Sequence, residues 1–331
     1  MKKTDIDIFT KTTVIIPNYN GKQYLQDCLT FLYRNKGTSF RVIVVDDAST
    51  DDSWRIVEQK FPKAALIRLQ ENGGFAHAVN VGIRAADTEY VLLLNNDTVT
   101  EPDFVLQMEK AISKNKRIFS ASAKMLSMKE PEIIDGVGDE YCALGWAFAR
   151  GKGESAERYS AARRVFSACG GAAIYRRNVL VRLGMFDENH FAYLEDVDVG
   201  YRALLHGFLN VTAPAAIVYH AGSGTSGSRH NAFKVDLSSR NSVYLIAKNM
   251  PILQLILNLP FLLVGFFVKA CFFTVKGLGG VYIRGLWKGI RLSLSEKGRS
   301  RKVRFSLKRL PSYIMVQLLL WKNLALSTKI R

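Results

Sequence analysis

Cysteine is scarce in this chain of 331 residues: Cys28, Cys142, Cys169 and Cys271 are the only four, with no C-x-x-C pair and no histidine at zinc-finger spacing. That argues against a disulfide framework or a structural zinc module, and reduced thiols in a cytosolic setting are the expectation. Proline is sparse too, at 8, and 48% hydrophobic against 23% charged residues excludes a disordered or collagen-like chain and allows a full core. The opening MKKTDIDIFTKTT has lysines but no apolar run of secretory length, so the chain is expected to stay in the cytosol. No Gly-rich, Lys-bearing phosphate loop follows the first apolar run, where PNYNG stands instead, which weakens a nucleotidyltransferase reading.

Acid is almost missing from the last quarter. From Pro251 to Arg331 there are 15 Lys or Arg against the single acid Glu296, so +14 of the formal +17 lies there and the first 250 residues are near balance. Such an excess favours a polyanionic partner. Its aromatics sit in apolar runs, which favours an anionic membrane surface over base stacking, and no nucleic acid is expected. Between Lys248 and Lys269 lie 20 uncharged residues, long enough for a bilayer span. Pro260 in their middle, and the basic residues that one crossing would carry outside, favour an in-plane or re-entrant arrangement. Ile283, Leu286, Trp287, Ile290 and Leu294 share one helical face and Arg284, Lys288 and Arg291 another, as in an interfacial helix. The plain alternative is a helical subdomain with its apolar faces turned inward. Residues 1–250 and 251–331 are therefore expected as an α/β domain and a basic, apolar helical membrane-association region.

From Thr13 onward, short β-branched runs alternate with helix-length amphipathic segments: TTVIIP, Gln23 to Arg34, FRVIVVDD, Asp51 to Phe61, AALIRL, Phe75 to Ala86 and Tyr90 to Asn96. This predicts an α/β fold with a mostly parallel sheet covered on both faces. A further helix is expected to open at Pro102. After about Ser120 the sequence turns Gly-rich, and loops and antiparallel strands are expected, with Ala168 to Tyr175 a buried strand, Tyr193 to His206 a helix and Ile217 to His220 a last strand.

Ligands of such sheets gather at the carboxyl ends of strands. Those ends read Pro17-Asn18-Tyr19-Asn20, Asp46-Asp47 with Ala48-Ser49-Thr50, Asn72-Gly73-Gly74 and Asn95-Asn96-Asp97. Each alone is equally a cap or a turn. In series they can form one cleft: a carboxylate accepts an imide N–H, glycine admits a close ligand, and Asp97 can hold a divalent cation. Glu195-Asp196-Val197-Asp198 opens a helix and supplies a general base, or simply acids that suit the helix dipole. His220 at a strand end is a core histidine or a metal ligand, and Arg240 a helix cap or a pyrophosphate clamp.

The series VIIPNYN, VVDDASTDDS, ENGGFAHAVNVGI, YVLLLNNDT, RGKGE, ACGGAAIYRRNVL, GMFDENHFAYLEDVDVGYR and SRNSVY resembles the inverting family 2 glycosyltransferases of the GT-A fold, in their rhamnosyltransferase-like branch, over residues 10 to 250. The resemblance implies that Asp46 and Asp47 contact the base of a dTDP- or UDP-sugar. Pro17, Asn18, Tyr19, Asn20, Asn72, Gly73, Asn95, Asn96 and Arg240 would complete the donor site. Asp97 and His220 would hold Mg²⁺ or Mn²⁺, Asp196 would be the catalytic base, and Glu195, Asp198 and Trp146 would lie by the acceptor, a lipid-linked glycan, or just behind the residues that touch it. Asn95 stands where many relatives have a first Asp, which puts more of the metal binding on Asp97. A catalytically silent membrane scaffold is the alternative of a different class.

Overall fold

β-Branched runs become strands and amphipathic stretches become helices in alternation. The computed structural model describes residues 10–222 and 231–327; most of the GSGTSGS run after His220 lies outside them. The first half holds β1 (Thr12–Asn18), α1 (Leu25–Leu32), β2 (Phe40–Asp46), α2 (Ser53–Lys60), β3 (Ala65–Arg68), α3 (Phe75–Ala85), β4 (Tyr90–Leu94), β5 (Thr98–Thr100), α4 (Phe104–Ser113) and β6 (Ile118–Ser127). Then come β7 (Ile134–Gly136), β8 (Asp139–Tyr141), β9 (Ala147–Ala149), β10 (Arg164–Val165), β11 (Ala172–Arg176), α5 (Arg177–Arg182), α6 (Glu195–Leu205) and β12 (Leu209–His220). Five helices close the chain: α7 (Ala232–Asn249), α8 (Ile252–Val275), α9 (Gly279–Leu294), α10 (Glu296–Ser300) and α11 (Leu310–Ser327).

The main sheet runs β10-β12-β6-β11-β4-β1-β2-β3, with β5 on β12 and β7 on β6. As expected, it is mostly parallel with antiparallel strands added by the second half of the chain: β4, β1, β2 and β3 are parallel, as are β6 and β12, and β11 enters antiparallel between β4 and β6. Alternation along the strands feeds two cores. Val14, Ile16, Leu92 and Leu94 face α1 and α4, while Ile15, Val91 and Leu93 face α3, α5 and α6. Each such buried side chain contributes roughly 2 kcal/mol. The helix expected at Pro102 starts at Phe104, and Pro102 instead offers its carbonyl to the Lys36 amide. Helix α8 continues through Pro260 without ending there.

A third core crosses the expected boundary at residue 250. Tyr141, Phe166, Val197 and Tyr201 from the first part pack with Leu262, Tyr313, Val316 and Leu320 from the last helices. The small β8–β9 hairpin, which the main sheet does not include, sits at this junction. Asn323 Nδ2 donates to Glu140 Oε2 and to the Tyr141 carbonyl, both at 3.0 Å, and the Ala143 amide donates to the Leu320 carbonyl.

Candidate active site

At the donor end, the carboxylate of Asp47 accepts the Gly73 amide on Oδ1 and the Gly74 amide on Oδ2, each at 2.9 Å. Burial raises its carboxyl above the ordinary range even so. Gly74 has φ +81°, and a Cβ there would lie 2.6 Å from the Phe191 ring, so only glycine lets this turn close against the loop before α6. Asn18, Asp46 and Asn96, expected at the nucleotide, are buried behind the cleft. Asn18 Nδ2 donates to Asp46 Oδ1 and to Ser53 Oγ at 2.8 Å, and Asn96 Nδ2 donates to Asn18 Oδ1 at 2.8 Å. Their polar groups tie the strand ends together, because a buried amide left unpaired is costly. Tyr19, Asn20 and Asn72 are exposed at the mouth, and Pro17 is half-buried at the end of β1.

Beyond β4, the Asn95 amide donates to the Gly171 carbonyl at 2.8 Å, and Asp97 meets His220 across the β5–β12 pairing, Oδ1 to Nε2 3.3 Å. The other imidazole nitrogen, Nδ1, lies 2.7 Å from Asp135 Oδ2, and Lys152 Nζ donates to Asp135 Oδ1 at 2.6 Å. Against burial, these bonds draw Asp135 down to about 2, and Asp135 with Asp97 holds His220 up at about 9. The ring is thus charged as it stands; a divalent cation would have to displace its Nε2 proton, after which the Asp97 carboxylate oxygen and that nitrogen fit the ion, with Asp135 as the outer carboxylate that metal-binding histidines use.

The acidic start of α6 closes the cleft. Asp196 Oδ2 accepts the Gly170 amide at 3.0 Å and Oδ1 accepts the Val197 amide at 2.7 Å. Asp139, on β8, hydrogen-bonds Asp196, and ligand atoms of Asp139, Cys169 and Asp196 lie within 4.8 Å of one another. Burial, then the two carboxylates, pushes the Cys169 thiol well up, so it suits a protonated neighbour better than a metal ligand. Burial, then the charge of Asp196, raises Asp139 strongly; a neutral Asp139 donating to an ionised Asp196 satisfies both. Glu195 is buried with Oε2 unpartnered among the described residues, and burial followed by Asp196 holds it neutral.

Phe191, Tyr193 and Leu194, just before this helix, all have φ between 62° and 70°. Such left-handed residues persist only where the surroundings over-determine them. Asn241 Nδ2 donates to the carbonyls of His190, Ala192 and Tyr193, and Arg240 Nη2 to those of Asn189 and His190. Arg240 is thus a clamp on the loop first, with Nη1 left unpartnered among the described residues. Two of the residues expected at the acceptor or just behind it are turned into the fold. Asp198 is fully buried between Arg202 (2.6 Å), Lys248 (2.8 Å) and Asn249 (2.8 Å), and Trp146 turns its indole N–H to the Gly265 carbonyl of α8. Sequence reasoning missed Asp135 and Asp139: both lie in the aperiodic run IIDGVGDEY, where no pattern marks a side chain's direction.

A mixed sheet with strand-end acids and a carboxylate-led helix is the arrangement of a GT-A glycosyltransferase. The chain belongs to glycosyl transferase family 2, whose family model matches residues 13–184, just over half of its length. It is 25% identical over 261 residues, 69% of this chain and 84% of the relative, to the N-acetylglucosaminyl-diphospho-decaprenol L-rhamnosyltransferase of Mycobacterium tuberculosis. Among solved structures, it superposes on S. aureus TarS 1-349 in complex with UDP-GlcNAc with a TM-score of 0.59 at 20% identity, covering 96% of this chain and 92% of that one. GalNAc-T7 with UDP, GalNAc and Mn²⁺ gives 0.59 at 15% identity, covering 73% and 48%. These structural likenesses establish the fold.

Proposed function

We propose that this glycosyltransferase is metal-dependent and inverting. It moves a sugar, L-rhamnose from dTDP-rhamnose in the first instance, onto a hydroxyl of a lipid-linked glycan in cell-surface polysaccharide synthesis. The observation that carries the mechanism is the setting of Asp196: a carboxylate at the cleft, fixed by two backbone amides and a neighbouring Asp139, with no second role in the fold's ion pairs. The name of the mycobacterial relative supports the donor sugar and the acceptor class.

Asp196 takes the proton of the acceptor hydroxyl as its oxygen attacks the anomeric carbon. The bond to the nucleoside diphosphate breaks on the opposite face, so one displacement inverts the centre and no covalent sugar-enzyme intermediate forms. Asp47 accepts the imide N–H of thymine or uracil. Asp97 and His220 would hold Mg²⁺ or Mn²⁺, which supplies charge neutralisation for the leaving diphosphate. The donor arrives from the cytosol, and the helices from Pro251 onward attach the protein peripherally to the anionic cytoplasmic face of the plasma membrane, beside its acceptor.

Calorimetric titration with dTDP and with UDP, each with and without Mn²⁺, tests the donor half. Metal-assisted binding of one nucleotide is expected; no binding of either by folded protein would return the chain to the silent-scaffold reading.

A further inference from the structure

Helix α8 is built inside out for a protein in water. Toward the protein it turns Gln254, Asn258, Leu262, Gly265 and Phe273, and outward, apart from Thr274 near its end, it turns apolar residues, among them Ile252, Ile256, Leu263, Phe267 and Val275, the last 86% exposed. Most of the inward polar groups are paired: the Tyr201 hydroxyl donates to Gln254 Oε1 at 2.5 Å, and Asn258 and Gln317 exchange two bonds of 2.8 Å, while Gln254 Nε2 is without a partner among the described residues. A Cβ on Gly265 would stand 2.1 Å from the Leu144 carbonyl oxygen, so the helix is pressed against the β8–β9 turn there. These attachments run from residue 254 to residue 273, nearly the whole helix of roughly 36 Å. A helix held along its length by its own domain cannot stand upright in a bilayer.

Its neighbours extend the same surface. On α9, Gly285 and Gly289 seat the helix on α7, while Ile283, Trp287, Ile290 and Leu294 are exposed. An open groove of about 650 Å³ there is lined by Ile283, Arg284, Trp287, Lys288 and Arg291; Lys288 is held by both oxygens of Asp236 (3.0 and 2.8 Å), and it is the guanidinium groups of Arg284 and Arg291 beside the indole that match a phosphate headgroup above acyl chains. On α11, Ile314, Leu318 and Trp321 are exposed, with Leu307 and Leu310 just before them.

We propose that α8, α9 and α11 form a monotopic docking face whose occupant is an anionic lipid bilayer, with α8 lying in the membrane plane and the α9 groove seating lipid phosphate. This deepens the membrane part of the proposed function and rests on it. Apolar exposure of this extent exceeds what a soluble monomer shows, and the near absence of acid after Pro251 gives the face its charge complementarity to anionic lipid. The face also has a link to the chemistry: α9 packs on α7 at Arg240, and Arg240 with Asn241 holds the loop that leads into Asp196.

The test uses the full chain with vesicles of phosphatidylcholine, with and without phosphatidylglycerol. In a Cys271→Ser background, nitroxides on Leu253→Cys, Val264→Cys and Val275→Cys are expected at one common shallow depth. A deep Val264 label between shallow ends would mean a spanning helix and overturn the in-plane arrangement. Arg284→Gln with Arg291→Gln is expected to weaken binding to the phosphatidylglycerol vesicles about twenty-fivefold, fivefold for each charge, with nucleotide affinity unchanged; undiminished binding would overturn the headgroup assignment. Absence of vesicle binding, with a dimer in solution, would assign the face to a second copy. If that protein still glycosylated a water-soluble acceptor, the docking proposal would fall and the reaction would stand.

Discussion

Asp196 and Asp139 act as a pair in which one carboxyl is neutral and the other charged, and the pair separates base chemistry from fold stability. Asp196→Asn removes the proton acceptor while its amide can still accept the Gly170 N–H, so kcat should fall by roughly 10² to 10⁴ with donor affinity intact. Rapid-quench transfer assays beside nucleotide calorimetry check this, and turnover near the wild-type rate would remove Asp196 from the role. Asp135 acts one step away from the reaction. Without its carboxylate the His220 ring loses the bond that orients it, and Asp135→Asn should lower Mn²⁺ affinity about 10- to 100-fold in metal titrations followed by electron paramagnetic resonance. The meeting of Asp97 with His220 was legible in the sequence because both sit at ends of apolar runs, where strand polarity fixes direction. Asp135 and Asp139 had no such frame, since GVGD offers neither period.

At the scale of elements, the acidic helix α6 is held by charges that never reach the cleft. Lys248 bridges Asp187 (2.7 Å) and Asp198 (2.8 Å), all three nearly or fully buried, so Lys248→Met would leave two carboxylates under-compensated and cost about 3 to 5 kcal/mol. Chemical denaturation measures that loss directly, and a loss below 1 kcal/mol would mean that water reaches the carboxylates. The same region sets an acid limit. Burial lowers His190 from 6.5 to about 4, so between those values the unfolded chain takes up a proton that the folded chain refuses, and stability declines as pH falls through that window. Asp198, held down by Arg202 and Lys248 against its burial, adds a loss below its unfolded value of 3.8. Asp139 and Glu195, whose carboxyls the fold holds neutral, act with the opposite sign over the same range, so the His190 share is read by difference: between pH 6.5 and 4 the wild type should lose more thermal stability than His190→Gln, and parallel profiles would contradict it. Helix α6 was readable from its spacing, but whether Asp198 meets the acceptor or supports the helix from behind was not. Sequence period gives a face of a helix, but the partner of that face, here α7, comes from tertiary packing.

Across the whole molecule, the charge step at residue 250 suggested a catalytic domain followed by a membrane-association region, and composition does divide there. Packing does not. Leu262, Tyr313, Val316 and Leu320 from beyond that point are buried against Tyr141, Phe166 and Tyr201, and at roughly 2 kcal/mol each they supply about 8 kcal/mol, as much as the entire stability of many domains. The sheet's first half was legible because each strand was an apolar run between helix patterns; the shared core was not, since its aromatic residues are scattered through an aperiodic stretch and three distant helices. A chain ended at Met250 would expose this cluster and strand Glu140 without the Asn323 amide. It should be molten or insoluble, whereas the full chain in detergent should unfold in one cooperative transition seen alike by near-ultraviolet circular dichroism and by helix content. A soluble 1–250 fragment with a sharp transition of its own would show instead that the last helices merely lean on a finished domain, and the bilayer would then be coupled to the catalytic cleft through α7 alone.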